Sequence, residues 1–299
     1  MAYARSLAAG QRCRVRVANV ASGDVRTVHE SHAVLLEAPN WTADDRLILN
    51  GDGLLWSMPA DGSVEPRTVA IAGVPELNND HVLAPDGETI YLSANDWHIY
   101  AAPLAGGAAR RVTADGGARM HFLHGVSPDG STLAYVGLTP ADGDWWAAAT
   151  VRTVRTDGTG DSAVTDGTGP DDGPEYSPDG AWIYFNTERF SRNPGHAQIA
   201  RISVGGGEPE QLTFDDRVNW FPHLSPDGAR AVYLSYPPGT EGHPADRPVQ
   251  LMLVEDDGWA QASIFVELFG GQGTINVNSW APDGTRFAYV DYPIAGTAP

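Results

Sequence analysis

The chain has 299 residues, a formal net charge of −19 at pH 7 and a single cysteine, Cys13. So negative a charge argues against nucleic-acid binding, which requires a basic surface, and one cysteine excludes an internal disulfide or redox pair. All 19 basic residues are arginine, so no lysine is present to anchor pyridoxal phosphate as a Schiff base.

The first ten residues lack the apolar run of a secretory signal, and eighteen consecutive apolar residues occur nowhere in the chain. We therefore expect a cytoplasmic protein that makes no membrane contact. Two predicted strands follow, at residues 13–20 and 24–29, joined by the turn residues Ala-Ser-Gly. This pair has no inner strand in front of it.

A tetrapeptide related to Ser-Pro-Asp-Gly recurs along the rest of the chain. Copies stand at residues 84–87, 127–130, 177–180, 225–228 and 281–284, with a degraded copy at 42–45. Their aspartates are 42 to 56 residues apart, which is the period of a repeat architecture. Each copy is a tight-turn signal followed by an alternating run typical of a strand, such as residues 89–93 and 182–186.

The repeats predict a six-bladed β-propeller. Third and fourth strands follow in most repeats, and four antiparallel strands form one blade. Only one strand fits after the last turn, so the N-terminal pair completes the sixth blade, which is shared between residues 1–32 and 275–299. We predict one domain, 1–299, closed without free sheet edges. An all-β sandwich would not need such complementary ends.

The repeats resemble those of the TolB-like six-bladed propellers, most clearly at residues 176–186 and 221–228. The resemblance covers essentially the whole chain. It implies the fold and leaves the function open, because such propellers serve as partner-docking platforms, as enzymes and as domains of peptidases.

The segment before each turn is the predicted inner strand, whose leading residues face the central channel. Four successive segments place a histidine or carboxylate at nearly equivalent heights: His81, His124, Glu175 and His223. Such a set can bind a divalent metal, with Mn, Zn and Ca as candidates, or support acid–base catalysis. Alternatively, propeller channels are polar in any case, and these histidines bond the backbone of the next blade.

Other candidates surround this set. His121 is a candidate for proton transfer, and Arg119 either pairs with a substrate carboxylate or is a surface arginine. The indole of Trp220 either stacks on a sugar ring or joins two blades. Further predicted substrate-binding residues are Asn40, Gln272, Asn276 and Asn278. His243, on the longest loop, either overhangs a channel mouth or is solvated.

The glycine-rich segment 270–278 lacks the lysine and following helix of a phosphate-binding loop, so no nucleotide is expected. It is similar to a segment of oligogalacturonate lyases, related propellers that hold a divalent metal with a glutamine, two alternating histidines and a histidine from another blade. Here Asn276 and Asn278 stand in the histidine positions. Any metal would therefore be held by the set of His81, His124, Glu175 and His223.

Two functional hypotheses follow. The first is a small-molecule enzyme, a lyase, isomerase or hydrolase, acting on a sugar or polyhydroxylated acid in the channel funnel. The alternative is a noncatalytic TolB-like interaction platform, which would bind a protein partner.

Overall fold

The computed structural model describes residues 5–114, 119–139 and 146–294. Within these ranges six sheets of three or four antiparallel strands surround a central channel, and one short two-stranded parallel sheet lies beside them. The predicted six-bladed β-propeller is therefore confirmed. The ends of the predicted domain, residues 1–4 and 295–299, lie outside the described residues. None of the helices in the described part has the length and apolar character of a membrane span.

The strands follow one another along the chain blade by blade, beginning within the sixth blade. Blade 6 contains β1 (Cys13–Asn19) and β2 (Val25–Ser31), together with the last strand of the chain. Blade 1 contains β3 (Glu37–Trp41), β4 (Arg46–Gly51), β5 (Leu54–Pro59) and β6 (Arg67–Val69), and is followed by the short β7 (Ile71–Ala72). Blade 2 contains β8 (Leu77–Leu83), β9 (Thr89–Ala94), β10 (Ile99–Pro103) and β12 (Arg110–Arg111), while β11 (Gly107–Ala108) pairs with β7.

Blade 3 contains β13 (Met120–Val126), β14 (Thr132–Leu138), β15 (Thr150–Arg155) and β16 (Ser162–Ala163). Blade 4 contains β17 (Asp171–Tyr176), β18 (Trp182–Thr187), β19 (Gln198–Ser203) and β20 (Glu210–Gln211). Blade 5 contains β21 (Val218–Leu224), β22 (Arg230–Tyr236), β23 (Ala245–Glu255) and β24 (Ser263–Gly271), and β25 (Arg286–Asp291) belongs to blade 6. Short 3-10 turns lie at Trp146–Ala148 and Trp259–Gln261.

Blade 6 joins the two ends of the chain. The strand β1 pairs with β25 on one side and with β2 on the other, both antiparallel. The inner position is taken by the segment before β25, which contacts it through a bridge between Trp280 and Phe287. The N-terminal strands therefore close the last blade, as predicted from the strand pair at residues 13–20 and 24–29, which has no inner strand before it.

The recurring turn has a defined hydrogen-bond pattern. In the copy at residues 127–130, Ser127 Oγ donates to Asp129 Oδ1 (2.5 Å), which also accepts the Ser131 N–H (3.0 Å). These bonds, led by that from Ser127, lower the pKa of Asp129 to about 2. Gly130 has a φ of 70°, which glycine adopts without strain. The degraded copy at residues 42–45 has the same hydroxyl-to-aspartate bond, from Thr42 to Asp44. Asp45 has a φ of 58° in the glycine position.

The third strand of blade 3 begins later than the sequence predicts. Residues 147–153 read as a strand, but the structure has a 3-10 turn at Trp146–Ala148 before β15. This turn brings the Trp146 ring to 6.3 Å from the ring of Trp220 in blade 5. One side of the central channel is thereby lined by indole.

Candidate functional site

The inner strands of blades 1 to 5 are each interrupted by a β-bulge or register shift. The shifts lie between Glu37 and Asn40, Leu77 and His81, Leu123 and Gly125, Asp172 and Glu175, and Trp220 and His223. At three of them a residue has positive φ: Ala38 at 52°, Gly173 at 60° and Phe221 at 55°. A bulge breaks the alternation of faces along a strand. Side chains before and after it therefore face different neighbours.

Side chains before or within these bulges line a cavity of about 300 Å³. It lies at the end of the channel opposite the Pro-Asp-Gly turns, because those turns follow the other ends of the inner strands. The cavity contains six charged or titratable side chains: Arg5, Glu37, Asp80, His124, Asp172 and His243. Its aromatic lining consists of Trp97, Phe122, Trp146 and Phe221. A concave cavity of mixed apolar and polar lining is typical of a small-molecule site.

His124 forms a charged pair with Asp172. Its Nε2 is 3.2 Å from Asp172 Oδ1, and its Nδ1 is 3.2 Å from the backbone oxygen of Asn276. Burial opposes the imidazolium charge, but Asp80 and Asp172 outweigh burial and raise the pKa of His124 to about 9. His124 is therefore a fixed cation at neutral pH, with both nitrogens used as donors.

Asp172 is the ionised partner. Burial alone would raise its pKa, but the bond from His124 and the charge of His124 outweigh burial and lower it. The Gly173 N–H also donates to Asp172 Oδ1 (2.6 Å). Asp172 is thus held as an oriented carboxylate at the cavity wall.

Asp80 titrates close to neutral pH. Burial raises its pKa to about 6, with His124 opposing this shift and Asp172 adding to it. Its backbone N–H donates to Asn78 Oδ1 (2.9 Å), and Asn78 Nδ2 donates to Asp80 Oδ2 (3.2 Å). A carboxyl group with such a pKa can both give and take a proton at physiological pH.

His243 enters the cavity from the loop between β22 and β23. Its Nδ1 bonds Gln272 Oε1, and its Nε2 is 3.7 Å from Asp172 Oδ2, beyond hydrogen-bonding distance. Burial lowers the pKa of His243, so its ring is neutral where that of His124 is charged. With the hydrogen on Nδ1, the lone pair lies on Nε2, beside Asp172 at the cavity wall. The ring packs 4.5 Å from that of Trp220.

Arg5 lines the cavity beside Gln272. It donates to Glu37 Oε1 (2.8 Å), to the backbone oxygen of Gln272 (2.5 Å) and to Asp246 Oδ1 (3.3 Å). Burial nevertheless raises the pKa of Glu37. The guanidinium also lies 4.7 Å above the ring of Tyr292. These contacts tie the N-terminal segment to the site.

Of the four predicted metal ligands, only His124 lies in the cavity. His81 follows the bulge of β8, where its Nε2 is 3.4 Å from the backbone oxygen of Ile48 in blade 1 and burial lowers its pKa to about 4. The expected common ring of ligands is therefore not formed. Among the described residues no group of three or more His, Cys, Asp or Glu could hold a metal ion.

Glu175 and His223 lie at the seam of blades 4, 5 and 6. His223 Nδ1 is 2.5 Å from Glu175 Oε2, and its Nε2 is 2.5 Å from the backbone oxygen of Ile275. Glu175 Oε1 accepts the Leu224 N–H (2.8 Å) and Asn278 Nδ2 (2.8 Å). Both residues follow a bulge, so they turn towards neighbouring blades and away from the cavity.

Two of the predicted substrate-binding residues line the cavity, Gln272 and Asn276. Asn40 donates to the backbone oxygen of Asn278 (2.6 Å) and joins blades 1 and 6, while the Asn278 side chain bonds Glu175. Trp220 is buried behind the wall against Trp146 and His243. Its blade-joining alternative fits this position.

Arg119 and His121, the predicted catalytic residues, lie outside the central cavity. Phe122 and His124 face it, so strand alternation turns His121 to the other face of β13. There His121 Nδ1 is 2.8 Å from the backbone oxygen of Trp97, and Arg119 donates to Asp161 Oδ2 (2.6 Å). Both line a separate pocket of about 130 Å³.

Four residues of the cavity share a sequence signal, and three of them, Glu37, Asp80 and Asp172, are absent from the predicted set. Glu37, Asp172 and Asn276 each stand seven residues before the aspartate of the next turn, and Asp80 stands six before it. Counting seven residues back from the six turn aspartates selects five residues that line the cavity: Glu37, Asn79, Phe122, Asp172 and Asn276. Arg5 carries no comparable signal, because it reaches the site from outside the repeats.

Fold and site together define a closed six-bladed propeller with a titratable central cavity. An uncharacterized protein of Agrobacterium fabrum is 37% identical over 286 residues, covering 94% of this chain and 92% of the relative. A solved structure from Agrobacterium tumefaciens, provisionally named TolB, is 36% identical with a TM-score of 0.85, covering 95% of this chain and 99% of that one. The chain belongs to the TolB-like six-bladed β-propeller family.

More distant structures share the fold alone. TolB from Acinetobacter baumannii has 17% identity and a TM-score of 0.59, over 87% of this chain and 64% of that chain. Oligogalacturonate lyase from Vibrio parahaemolyticus has 10% identity and a TM-score of 0.57, over 94% of this chain and 77% of that chain. No family model matches the sequence.

Proposed function

We propose that the protein is a small-molecule enzyme, a lyase, isomerase or hydrolase, that transfers protons on a sugar or polyhydroxylated acid held in the central cavity. The observation that carries this proposal is the convergence of Asp80, Asp172 and His243 on one cavity. Carboxyl and imidazole groups with opposite pKa shifts are the usual pair for acid–base catalysis.

The roles follow from protonation. Asp80, with a pKa of about 6, exchanges a proton with the substrate. Neutral His243 is the base, because it lines the cavity and carries its lone pair on Nε2 while Gln272 holds Nδ1. The His124 cation holds Asp172 and stabilises negative charge that develops nearby.

This mechanism uses no metal, because the predicted ligands are not brought together. His81 bonds blade 1, and the Glu175–His223 pair is satisfied by its own blades. We therefore expect turnover to persist in EDTA. Elemental analysis of protein supplemented with Mn, Zn and Ca tests the cofactor separately, and an equimolar metal lost with His124→Ala would restore a metal role.

The test is proton NMR in D₂O with a panel of sugars and polyhydroxylated acids. Turnover or C–H exchange should appear for one member of the panel. The variants Asp80→Asn and His243→Gln should slow it by about a hundredfold or more. The matched control is Asp161→Asn, whose carboxylate pairs with Arg119 outside the cavity and should be dispensable. If Asp161→Asn or His121→Gln abolished turnover and Asp80→Asn did not, chemistry would belong to the smaller pocket.

A noncatalytic interaction platform is the second candidate, favoured by the similarity to proteins that carry the name TolB. Large exposed apolar side chains in the described part are spread over blades 1, 4 and 5: Leu54, Val64, Phe190, Val204, Phe214 and Ile264. A platform would bind its protein partner equally well after Asp80→Asn and His243→Gln. It would turn over nothing in the panel.

A further inference from the structure

We propose that the ligand of the central cavity is an uncharged polyhydroxylated ring, a neutral saccharide, and not a sugar acid. This inference rests on the proposed function, which places the site in the cavity. It selects one of the two substrate classes that the proposed function allows.

Two amide donors at the cavity are unsatisfied. Asn50, at the end of β4, is 4% exposed, and its Nδ2 has no hydrogen-bond partner among the described residues. Asn95 follows β9 in the next blade, and its buried Nδ2 is likewise without a partner in the described part of the chain. Both side chains line the cavity. Buried amide groups are normally paired, so acceptor oxygens of a ligand are expected here.

Acceptors line the same cavity. Asp80, Asp172 and Glu37 place carboxyl oxygens there, and these accept hydrogen bonds. A hydroxyl group donates to such oxygens and accepts from the amides, so several hydroxyls on one ring match the mixed set. A ligand carboxylate accepts only, and it would lie close to three carboxyl groups.

The cations of the site are already committed. Arg5 donates to Glu37, to the Gln272 backbone and to Asp246. His124 uses both nitrogens on Asp172 and on the Asn276 backbone. No other arginine of the described residues lines the cavity. A sugar acid would therefore displace an existing ion pair to obtain a counter-charge.

The remaining wall is aromatic. Trp97, Phe122, Trp146 and Phe221 line the cavity, and flat rings pack against the C–H faces of a saccharide. The volume of about 300 Å³ is at the lower end for ligand pockets. A monosaccharide or a disaccharide is the expected size.

The experiment compares matched pairs that differ only in the acid group. Glucose and glucuronate, galactose and galacturonate, and mannose and mannuronate are titrated into the intact protein and followed by calorimetry and tryptophan fluorescence. We expect saturable binding of at least one neutral member, about tenfold or more tighter than its acid partner. Maltose, cellobiose and lactose extend the neutral set.

The amide variants test the geometry. Asn50→Ala and Asn95→Ala should each weaken binding of the neutral sugar about tenfold, by loss of a hydrogen bond. Neither should lower the melting temperature, because neither amide nitrogen is bonded in the free protein. Asn40→Ala is the matched control: its buried amide bonds Asn278 outside the cavity. It should lower the melting temperature and leave the affinity of the folded protein unchanged.

The outcomes separate this inference from the proposed function. Equal or tighter binding of the acids, unchanged affinity in both Asn50→Ala and Asn95→Ala, or no binding of any saccharide would overturn it. If an acid binds and Asp80→Asn still stops its turnover, only the neutral-ligand inference fails. If neutral sugars bind as expected but are never turned over, the proposed function fails and this inference stands.

Discussion

Asp172 and Glu175 lie three residues apart on β17, on either side of its bulge, and serve different purposes. Asp172 faces the cavity and pairs with His124. Glu175 faces the seam between blades and accepts bonds from His223, Leu224 and Asn278. Two carboxylates with similar sequence surroundings thus occupy two networks, and the bulge decides which one each enters.

The difference lies in how completely each network is satisfied. The groups that bond Glu175 belong to the neighbouring blades 5 and 6. Both nitrogens of His223 also contact acceptor oxygens. In the cavity, Asp80 and His243 line open space and can still exchange protons with a ligand. A buried polar group that is fully paired stabilises the fold, whereas one left reactive beside a cavity is available to a ligand.

The largest expected effect is a loss of stability when the Glu175 network at the seam of blades 4, 5 and 6 is broken. Glu175→Ala leaves the buried His223, the Leu224 N–H and the Asn278 amide without their partner, so we expect a loss of about 3 to 5 kcal/mol in the free energy of unfolding. Urea denaturation measures it. If the Glu175→Ala protein were stable but inactive, Glu175 would have a catalytic role and not a structural one.

The cavity pair should appear in the pH dependence of stability. The pKa of His124 is raised from 6.5 to about 9, so folding binds its proton more tightly. Its contribution, on the order of 3 kcal/mol, is complete below pH 6.5 and is lost as the pH rises through 9. His124→Gln should flatten the unfolding free energy over this window in urea titrations. An identical slope in the variant would show that His124 is not the charged partner of Asp172.

The sequence predicts the fold well and the site partly. Turn spacing is enough to count blades, and the orphan N-terminal pair predicts the closure. The bulges carry little signal, because Ala38 and Phe221 adopt positive φ without being residues that favour it. His243 and Arg5 reach the cavity through contacts between distant parts of the chain, which local patterns do not encode.

Asp80 should determine the pH dependence of the reaction rate. Burial raises the pKa of Asp80 to about 6. The pH–rate profile of the wild type should therefore have an inflection near that pH, with the rate changing about tenfold per pH unit on one side of it. Asp80→Asn should lack the inflection, whereas the seam variant Glu175→Gln should retain it. An inflection that survives in Asp80→Asn would assign the titration to another group.

The smallest expected effect separates activity from stability. The raised pKa of Asp80 means that its ionised form is disfavoured by folding, so stability falls as the pH rises from 3.8 to 6. At pH 8, Asp80→Asn should therefore unfold within about 1 kcal/mol of the wild type, or above it. A large loss in thermal or urea unfolding would indicate that Asp80 holds the fold as Glu175 does.

The decisive comparison is the turnover of Asp172→Asn and Glu175→Gln, two isosteric carboxylate-to-amide changes on one strand. Proton NMR in D₂O on the substrate of the wild type measures both, with the folded fraction determined on the same samples. We expect Asp172→Asn to lower the rate per folded molecule by about a hundredfold or more, because the amide no longer holds the His124 cation that stabilises developing charge. We expect Glu175→Gln to retain the wild-type rate per folded molecule. Full activity in Asp172→Asn, with loss in folded Glu175→Gln, would contradict the assignment of the cavity as the active site.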